Sequence, residues 1–462
     1  MAADADVPTP NPEAEVSSRR RGIGLCLSGG GFRATLFHAG VIQRLFELGI
    51  ATRTDGRSTV RDAAAIGRPE APSETRALGF ETVASVSGGS ITAAQWAVAE
   101  AQLRSNGGGT GLLRPGTNGT GPRNDGGADG AEPSIDFVRD VVRPLLALTR
   151  RDIRTGAMVQ KYLLPWNWFR GGFVVNNMVE KFEGAFGKGT LDLLPERPRF
   201  VFCGTDMAFG ANFVFERERV GSYLAGYADP QGFTLGQAVA ASACFPPLFG
   251  PMRIERAAER FKGGRANGAR ADERRRILGD LRVTDGGVYD NLGLEPVWKS
   301  HRVVLVSDAG GLMDAEDDRS FFWRIKRYQE IQERQALGVR KRFLISGFCG
   351  GTICGAYVGV GSAASRYAGV REGGYSKAFA MEVIRNIRTD LDAFSEVEQG
   401  VLMNHGYALI DAAVRTHVPE LMGVEGAPFA WPAPEFAPRA MAEEELRRRL
   451  AGSEKRKLTG RG

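Results

Sequence analysis

The sequence predicts an α/β fold in which helices cover both faces of a mostly parallel central sheet. Three observations predict it. Two strand–tight turn–helix units follow one another before residue 105. A third apolar run, "RVVLVSDAGG" at 302–311, again ends in a turn. Strands that alternate with helices build parallel sheets buried on both sides. The chain is also large enough for such a core, with 462 residues of which 43% are hydrophobic and 25% charged, an ordinary globular composition.

Taken in order, residues 1–18 are acidic and Pro-rich with no apolar core, and are expected to form a disordered tail. The apolar run after Arg19 to Arg21 breaks at Ser28 and the glycines, too soon for the apolar core of a secretory signal. "GIGLCLS" is the first strand. Beyond Gly29, Gly30 and Gly31, the residues Leu36, Val41, Leu45 and Leu48 recur near helical spacing, and Gly49 supplies a stop. A polar connector leads to a second strand, "FETVASV", then a Ser/Gly turn and an Ala-rich helix over 91–103. Gly, Asn and Pro dominate 104–134, which predicts a flexible insertion. Residues 136–192 read as mostly helical, with an aromatic-rich patch "YLLPWNWFRGGF" at 162–173.

"RPRFVFCGTDMAFGANFVFE" reads as two strands joined by a turn, and "TLGQAVAASACFPPLFGPM" as a helix stopped at Pro246 and Pro247. The Arg-rich stretch 256–280 reads as a second flexible insertion. A charged amphipathic helix is expected over 317–340, mostly helical structure over 376–416, and an irregular basic tail over 419–462. The uncharged run at 343–365 has membrane-spanning length. Its six glycines in 23 residues disfavour a helix, so buried strand and turn are expected.

A net charge of +6 and a pI near 9.1 give a mild attraction to anionic surfaces. Much of the basic charge sits in the segments expected to be flexible. No nucleic-acid reading module or aromatic interleaving is present, so a nucleic-acid partner is not expected. Five scattered cysteines, an odd number, argue against a disulfide framework and suit a reducing compartment.

The chemistry starts at "SVSGGS". A serine between an apolar strand and a helix, flanked by small residues, matches a nucleophile elbow, which lifts the hydroxyl out of the sheet. Centred on Ser87, the window runs Ser85-Val86-Ser87-Gly88-Gly89, with Ser85 where the usual G-x-S-x-G signature has glycine. The bland alternative is a Ser/Gly turn that caps a helix. A serine needs a base, and the four histidines, His38, His301, His405 and His417, do not fall in strand-end loops with other polar groups. Asp285 in "VTDGGVYDN" does stand at a strand end, and Gly286 and Gly287 let backbone approach it closely. The glycine turn then acquires a use, because outward N–H groups at a strand–helix turn stabilise an oxyanion. A phosphate loop is excluded, since Phe32-Arg33-Ala34 follows and no lysine does. A dinucleotide fingerprint fits only in part, with no clear acidic residue about 20 residues on.

In order the motifs read GGGFRA, S-x-S-x-G and DGG. Together they resemble the patatin-like phospholipase family, whose pattern is G-G-G-x-R-[GA], G-x-S-x-G and D-G-[GA]. "FVFCGTDMAFGANFVF", "AVAASACFPPLF" and "DGGVYDNLGLEPV" are similar to further family segments, so the resemblance covers about 22–310. It implies a three-layer α/β/α patatin-like fold with a helical C-terminal elaboration and a catalytic domain over 22–418. It implies a Ser87–Asp285 dyad without a catalytic histidine. It also implies an oxyanion hole lined by Gly29, Gly30 and Gly31 with the N–H groups of Phe32 and Arg33, joined by Gly88. Ser85 and Ala34 depart from the pattern, and neither removes a reacting atom.

The implied activity is hydrolysis of acyl lipids, with no cofactor and no metal; Cys349 and Cys354 are too isolated to argue for zinc. Transient contact with a membrane surface and a cytoplasmic location, peripheral at the inner membrane surface, are expected. Tryptophans beside Arg170 in the 162–173 patch are an interfacial mixture, equally a buried aromatic cluster. Two rivals stand beside this reading: a Ser87–Asp285–His405 esterase, and a non-catalytic lipid-binding protein on the same fold.

Overall fold

The computed structural model describes residues 20–51, 79–105, 135–155, 173–246, 249–264, 271–311, 317, 320–424 and 427–455. The tail 1–18, residues 106–134 of the insertion expected over 104–134 and residues 162–172 of the aromatic patch lie outside the described residues, while 104 and 105 end a helix.

Ten strands form one sheet: β1 (Ile23–Leu27), β2 (Phe80–Val86), β3 (Arg199–Asp206), β4 (Ala211–Phe215), β5 (Val220–Ser222), β6 (Gly226–Ala228), β7 (Met252–Arg253), β8 (Arg282–Asp285), β9 (Val303–Asp308) and β10 (Cys354–Gly359). The order is β10-β9-β1-β2-β3-β4-β5-β6, with β8 on β3 and β7 on β8. The first five strands in that order are parallel. From β3 outward the pairing is antiparallel, because the tight turn after Asp206 can only reverse the chain. The sheet is therefore mixed, and the parallel arrangement expected from the sequence belongs to one half of it.

Side-chain alternation divides two cores. Ile23, Leu25 and Leu27 of β1 and Val303 and Leu305 of β9 enter the larger core. Its helices are α1 (Gly31–Glu47), α2 (Gly88–Ser105), α3 (Leu235–Ala243) and, later in the chain, α5 (Glu396–His417). Cys26, Val304 and Val306 face the other side, where Leu292, Val297 and Leu344 cover them. Leu344 belongs to α4 (Phe321–Cys349). Helices on both faces give the three layers. α3 starts on a capping box between Thr234 and Gln237, and α5 on one between Ser395 and Glu398.

Three expectations change. The uncharged run 343–365 is shared between the end of α4, a turn and β10, and no helix among the described residues is long and apolar enough to cross a membrane. The charged stretch 256–280 is anchored where it is described. Phe261 and Leu278 are buried, and Arg274 Nη2 donates to the carbonyls of Ala225, Phe261 and Gly263 at 3.1, 3.3 and 3.0 Å. The segment after Pro419, though short of regular structure, packs on the domain through Leu421, Phe436, Leu446 and Leu450. Too few apolar residues in each case set up a period, but single large ones suffice to anchor a loop. The helical expectation over 376–416 is met by Lys377–Glu382 and α5, with extended and 3-10 backbone between them.

Candidate active site

Strand register brings the motifs together. β2 pairs with β3 as far as Val86 opposite Cys203. β8 then takes over the same edge of β3 in the antiparallel sense, with Asp285 opposite Gly204. The C-terminal ends of β2 and β8 thus meet head to head, which puts Ser87 and Asp285 side by side although 198 residues separate them. β1 lies next to β2 and parallel to it, so the glycine turn opens on the same end of the sheet.

Ser87 has φ +50° and is the one non-glycine residue with positive φ among the described residues. Such a conformation is costly for a residue with a side chain. It is held from behind. The Ser87 N–H donates to Ser242 Oγ at 3.0 Å, and Ser242 Oγ donates to Cys203 O at 2.6 Å. Ser90 Oγ lies 2.8 Å from Ser242 Oγ and 3.1 Å from Ser85 Oγ, which donates to Val201 O. Ser85, the departure from the elbow signature, is therefore absorbed into a buried hydroxyl network. Ser90 and Ser242 were not singled out from the sequence. Ser242 carried only the weak signal of lying within the "AVAASACFPPLF" segment.

Asp285 is buried. Its Oδ1 accepts the Gly287 N–H at 2.7 Å, while Oδ2 is buried with no hydrogen-bond partner. The Ser87 hydroxyl is near enough to favour the carboxylate, yet no hydrogen bond of full geometry joins the two side chains. Burial dominates and raises the pKa of Asp285 to about 7, against the pull of the Gly287 N–H and Ser87. Gly286 and Gly287 let backbone close in: a Cβ on Gly286 would lie 2.3 Å from Cys203 O.

The glycine turn sorts into two kinds of N–H. Gly29 donates to Asn291 O at 3.0 Å and Phe32 to Asp390 O at 2.8 Å. Those two N–H groups, expected among the oxyanion donors, are thus already committed to holding the loop. The N–H groups of Gly30 and Gly31 have no such partner, and both residues line the cleft with Ser87 and Asp285. Gly30 and Gly31 have φ +146° and +56°. A Cβ would meet Ala309 O or Asp390 O, each at 2.5 Å. Gly88 and Gly89 abut the same turn, since a Cβ on Gly88 would lie 2.0 Å from Gly31 O, and one on Gly89 2.5 Å from Leu27 O.

Arg33 points its guanidinium away from the cleft. Nε and Nη2 donate to Ala309 O at 3.1 and 2.8 Å, and Nη1 to Arg385 O and Ile387 O, both at 2.7 Å. Burial lowers its pKa to about 10, against the favourable field of Asp308, so it stays charged at neutral pH. A buried ion pair of Arg154 with Asp390 fixes the same segment from the other side. The backbone wall of the turn is therefore built from 309 and 385–390, which sequence motifs did not indicate.

The cleft has a volume of 190 Å³. α4 contributes Glu333, Arg334, Leu337 and Arg340 to its wall, and Phe245 and Phe249 line it as well. Arg340 stands 3.5 Å from Asp290 Oδ1, and Asp290 caps the following turn through the N–H groups of Leu292, Leu294 and Glu295. No histidine is among the lining residues. His38 is buried between Ser307 Oγ and Ser28 O, and His405 places Nε2 on Val360 O. Burial lowers the pKa of both to about 4.

A hydroxyl on a strand–helix elbow, a buried carboxylate beside it and two uncommitted N–H groups in the cleft wall together suit acyl transfer at an ester carbonyl. Residues 25–298 match the family model of the patatin-like phospholipases. That is more than half of the chain, and the chain belongs to this family, whose members are in general lipid acyl hydrolases. No curated protein matches. Among solved structures the chain is similar to VipD from Legionella pneumophila, at 16% identity and a TM-score of 0.25 over 67% of this chain and 52% of that one. The chain thus spans about half the length of that relative.

Proposed function

We propose that this protein hydrolyses fatty acyl esters of lipids, as a phospholipase A, lysophospholipase or lipase, through a Ser87–Asp285 dyad and an acyl-enzyme. One observation carries this reading: Asp285 Oδ2 is buried and unpartnered beside the Ser87 hydroxyl, in a cleft that also presents the free N–H groups of Gly30 and Gly31. Ser87 Oγ attacks the ester carbonyl while its proton passes to Asp285. The oxyanion rests on Gly30 and Gly31, with the Gly88 N–H next to it, and the positive end of α1 favours the charge. Asp285 returns the proton to the leaving alcohol. It then takes one from water, whose oxygen attacks the acyl-serine; as the fatty acid is freed, Asp285 returns that proton to the departing Ser87 Oγ and the dyad is restored.

A carboxylate with an ordinary pKa is a feeble base for this work. Burial brings Asp285 to about 7, where a base is effective at neutral pH. The Ser87–Asp285–His405 alternative loses ground, because His405 Nε2 is engaged with Val360 O and His405 is absent from the cleft wall. We place the catalytic unit at 22–418, at work in the cytoplasm and in transient contact with the inner membrane surface, where its substrate resides.

A fluorophosphonate probe combined with a lipid-panel hydrolysis assay tests the proposal. Adduct formation at Ser87 is expected, with loss of about 10³-fold or more in kcat for Ser87→Ala and Asp285→Asn. Full activity in both variants, or no adduct on folded protein, overturns the dyad.

A further inference from the structure

Three glycines around the cleft leave room for one side chain. A Cβ on Gly29 would lie 2.3 Å from Asn291 Oδ1 and 3.2 Å from Ser87 Cβ. One on Gly287 would lie 2.7 Å from the same Oδ1 and 3.0 Å from Asp285 Oδ1. One on Gly310 would lie 2.7 Å from Asn291 Nδ2 and 3.1 Å from Asp308 Oδ1. The Asn291 carboxamide thus fills the space between the glycine turn, the turn after Asp285 and the end of β9. Its oxygen neighbours both the Ser87 and the Asp285 side chains. Asn291 is half-buried and lines the cleft, and no hydrogen bond of full geometry joins its side chain to another described residue.

Asp308 settles which end of the amide faces which neighbour. Its carboxyl accepts the Gly310 N–H at 2.9 Å and the Tyr357 hydroxyl at 2.6 Å, and pairs with Lys341 at 2.5 Å. Burial works against its charge, but these three partners hold its pKa below the ordinary carboxylate value, so it is ionised at neutral pH. A carboxylate only accepts, and beside an amide it favours the NH2 end. The oxygen end is left for Ser87 and Asp285.

An acceptor at that place has a use in the second half of the reaction. Water attacking the acyl-serine must give one proton to Asp285 and aim a lone pair at the acyl carbon. Its other O–H needs an acceptor to hold it in that attitude. A second carboxylate would accept too, but like charges so close would make the base harder to ionise. A carboxamide accepts without adding charge.

We propose that Asn291 is a further catalytic residue, whose Oδ1 accepts a hydrogen bond from the deacylating water and orients it between Ser87 and Asp285. One water proton passes to Asp285. The other stays on the oxygen that bonds to the acyl carbon and leaves with the fatty acid. The bond from that carbon to Ser87 Oγ breaks, and Asp285 returns its proton to Oγ. The inference rests on the acyl-enzyme reading above, and the competing role for Asn291 is space filling alone.

The test is burst kinetics on a soluble p-nitrophenyl ester, with fluorophosphonate labelling and intact mass, for the full chain as wild type, Asn291→Leu and Asn291→Ala. Leucine keeps the shape of the side chain and removes the acceptor; alanine removes both. Both variants are expected to label at Ser87 within about threefold of the wild-type rate. Both should release p-nitrophenol in a burst, then turn over about 10²-fold more slowly than wild type, with the acyl-enzyme visible by mass. Hydroxylamine, a stronger nucleophile than water, should speed deacylation of the variants more than that of the wild type. Wild-type turnover by Asn291→Leu beside a slow Asn291→Ala overturns the proposal in favour of space filling. Equal losses of labelling and turnover, or failure of both variants to fold, overturn it in favour of a structural role. If the wild type itself takes no label at Ser87 and cleaves no ester, the functional reading fails and this inference falls with it.

Discussion

The turns after β1 and β2 are neighbours at one end of the sheet, and they meet the same demand in opposite ways. Each must throw the chain out of a parallel strand into a helix within a few residues. The first dispenses with side chains: Gly30 and Gly31 take positive φ where the backbones of Ala309 and Asp390 leave no room for a Cβ. The second keeps a side chain at positive φ, and buried serines hold it there. One turn brings to the cleft glycines whose N–H groups are uncommitted, the other a serine. The difference teaches that strain of the same kind serves the site twice, and that each turn depends on distant chain to maintain it. Residues 309 and 385–390 maintain the first, and Ser242 and Ser90 the second.

The sharpest way to break the glycine turn is Gly31→Ala. The added Cβ would lie 2.5 Å from Asp390 O and 2.7 Å from Asp390 N, at a φ that alanine adopts poorly. The expected result is a fall in kcat of about 10²–10³-fold, the usual cost of losing an oxyanion donor, together with a lower melting temperature. Steady-state kinetics on a soluble ester and thermal melts measure both. An unchanged kcat would remove Gly31 from the oxyanion hole.

Arg33→Ala attacks the same turn from behind. It strips donors from the carbonyls of Ala309, Arg385 and Ile387 and leaves them buried. The expected loss of stability is about 2–5 kcal/mol, with kcat reduced more than KM is raised, because the guanidinium braces the turn and does not meet substrate. Denaturant titration beside the kinetics separates the two effects.

The proposed base beside the second turn, Asp285, carries a pH signature. With Asp285 near pKa 7, kcat/KM should climb about tenfold per pH unit below that value and level off above it. Stability runs the other way. The folded chain holds this proton up to about pH 7, while the unfolded chain releases it near its ordinary value of 3.8. Stability contributed by the protonated acid is therefore complete below about pH 4 and is lost as pH rises to about 7. Asp285→Asn should remove that slope, so its melting temperature exceeds that of the wild type above pH 7 and converges with it near pH 4. Parallel slopes for the two proteins would refute the raised pKa.

The contrast also marks what sequence could and could not disclose. β1 and β2 are near-continuous apolar runs ending in glycine or serine, and their bounds, α1 and the elbow were legible as local patterns. Ser87 and Asp285 stand out in the sequence because each sits at a strand end within a short motif. The fate of individual N–H groups was not legible. Which N–H groups stay uncommitted depends on Asn291 and Asp390, whose carbonyls take those of Gly29 and Phe32, and no local pattern links either to residue 30. The wall at 309 and 385–390 and the inner face of α4 lie beyond the matched residues 25–298. They are joined to the site by tertiary contact alone. The 256–280 stretch and the C-terminal segment were misread for a related reason: a few buried anchors such as Phe261, Phe436 and Leu446 order a polar segment without giving it a period.

The smallest expected effect tests whether the second turn needs its departure from the family signature. Ser85→Gly restores the leading glycine of G-x-S-x-G. It deletes a hydroxyl that donates to Val201 O at 3.2 Å and accepts from Ser90. Ser90 keeps Ser242 as a partner, and Ser242 keeps its hold on the Ser87 N–H, so the conformation of the elbow should survive. A hydrogen bond worth about 1 kcal/mol is lost, and a glycine in a strand costs about as much again. The melting temperature should fall slightly while kcat stays within about threefold of wild type. A much larger drop in kcat at an unchanged melting temperature would show that the hydroxyl network reaches Ser87 through Ser85 as well as through Ser242.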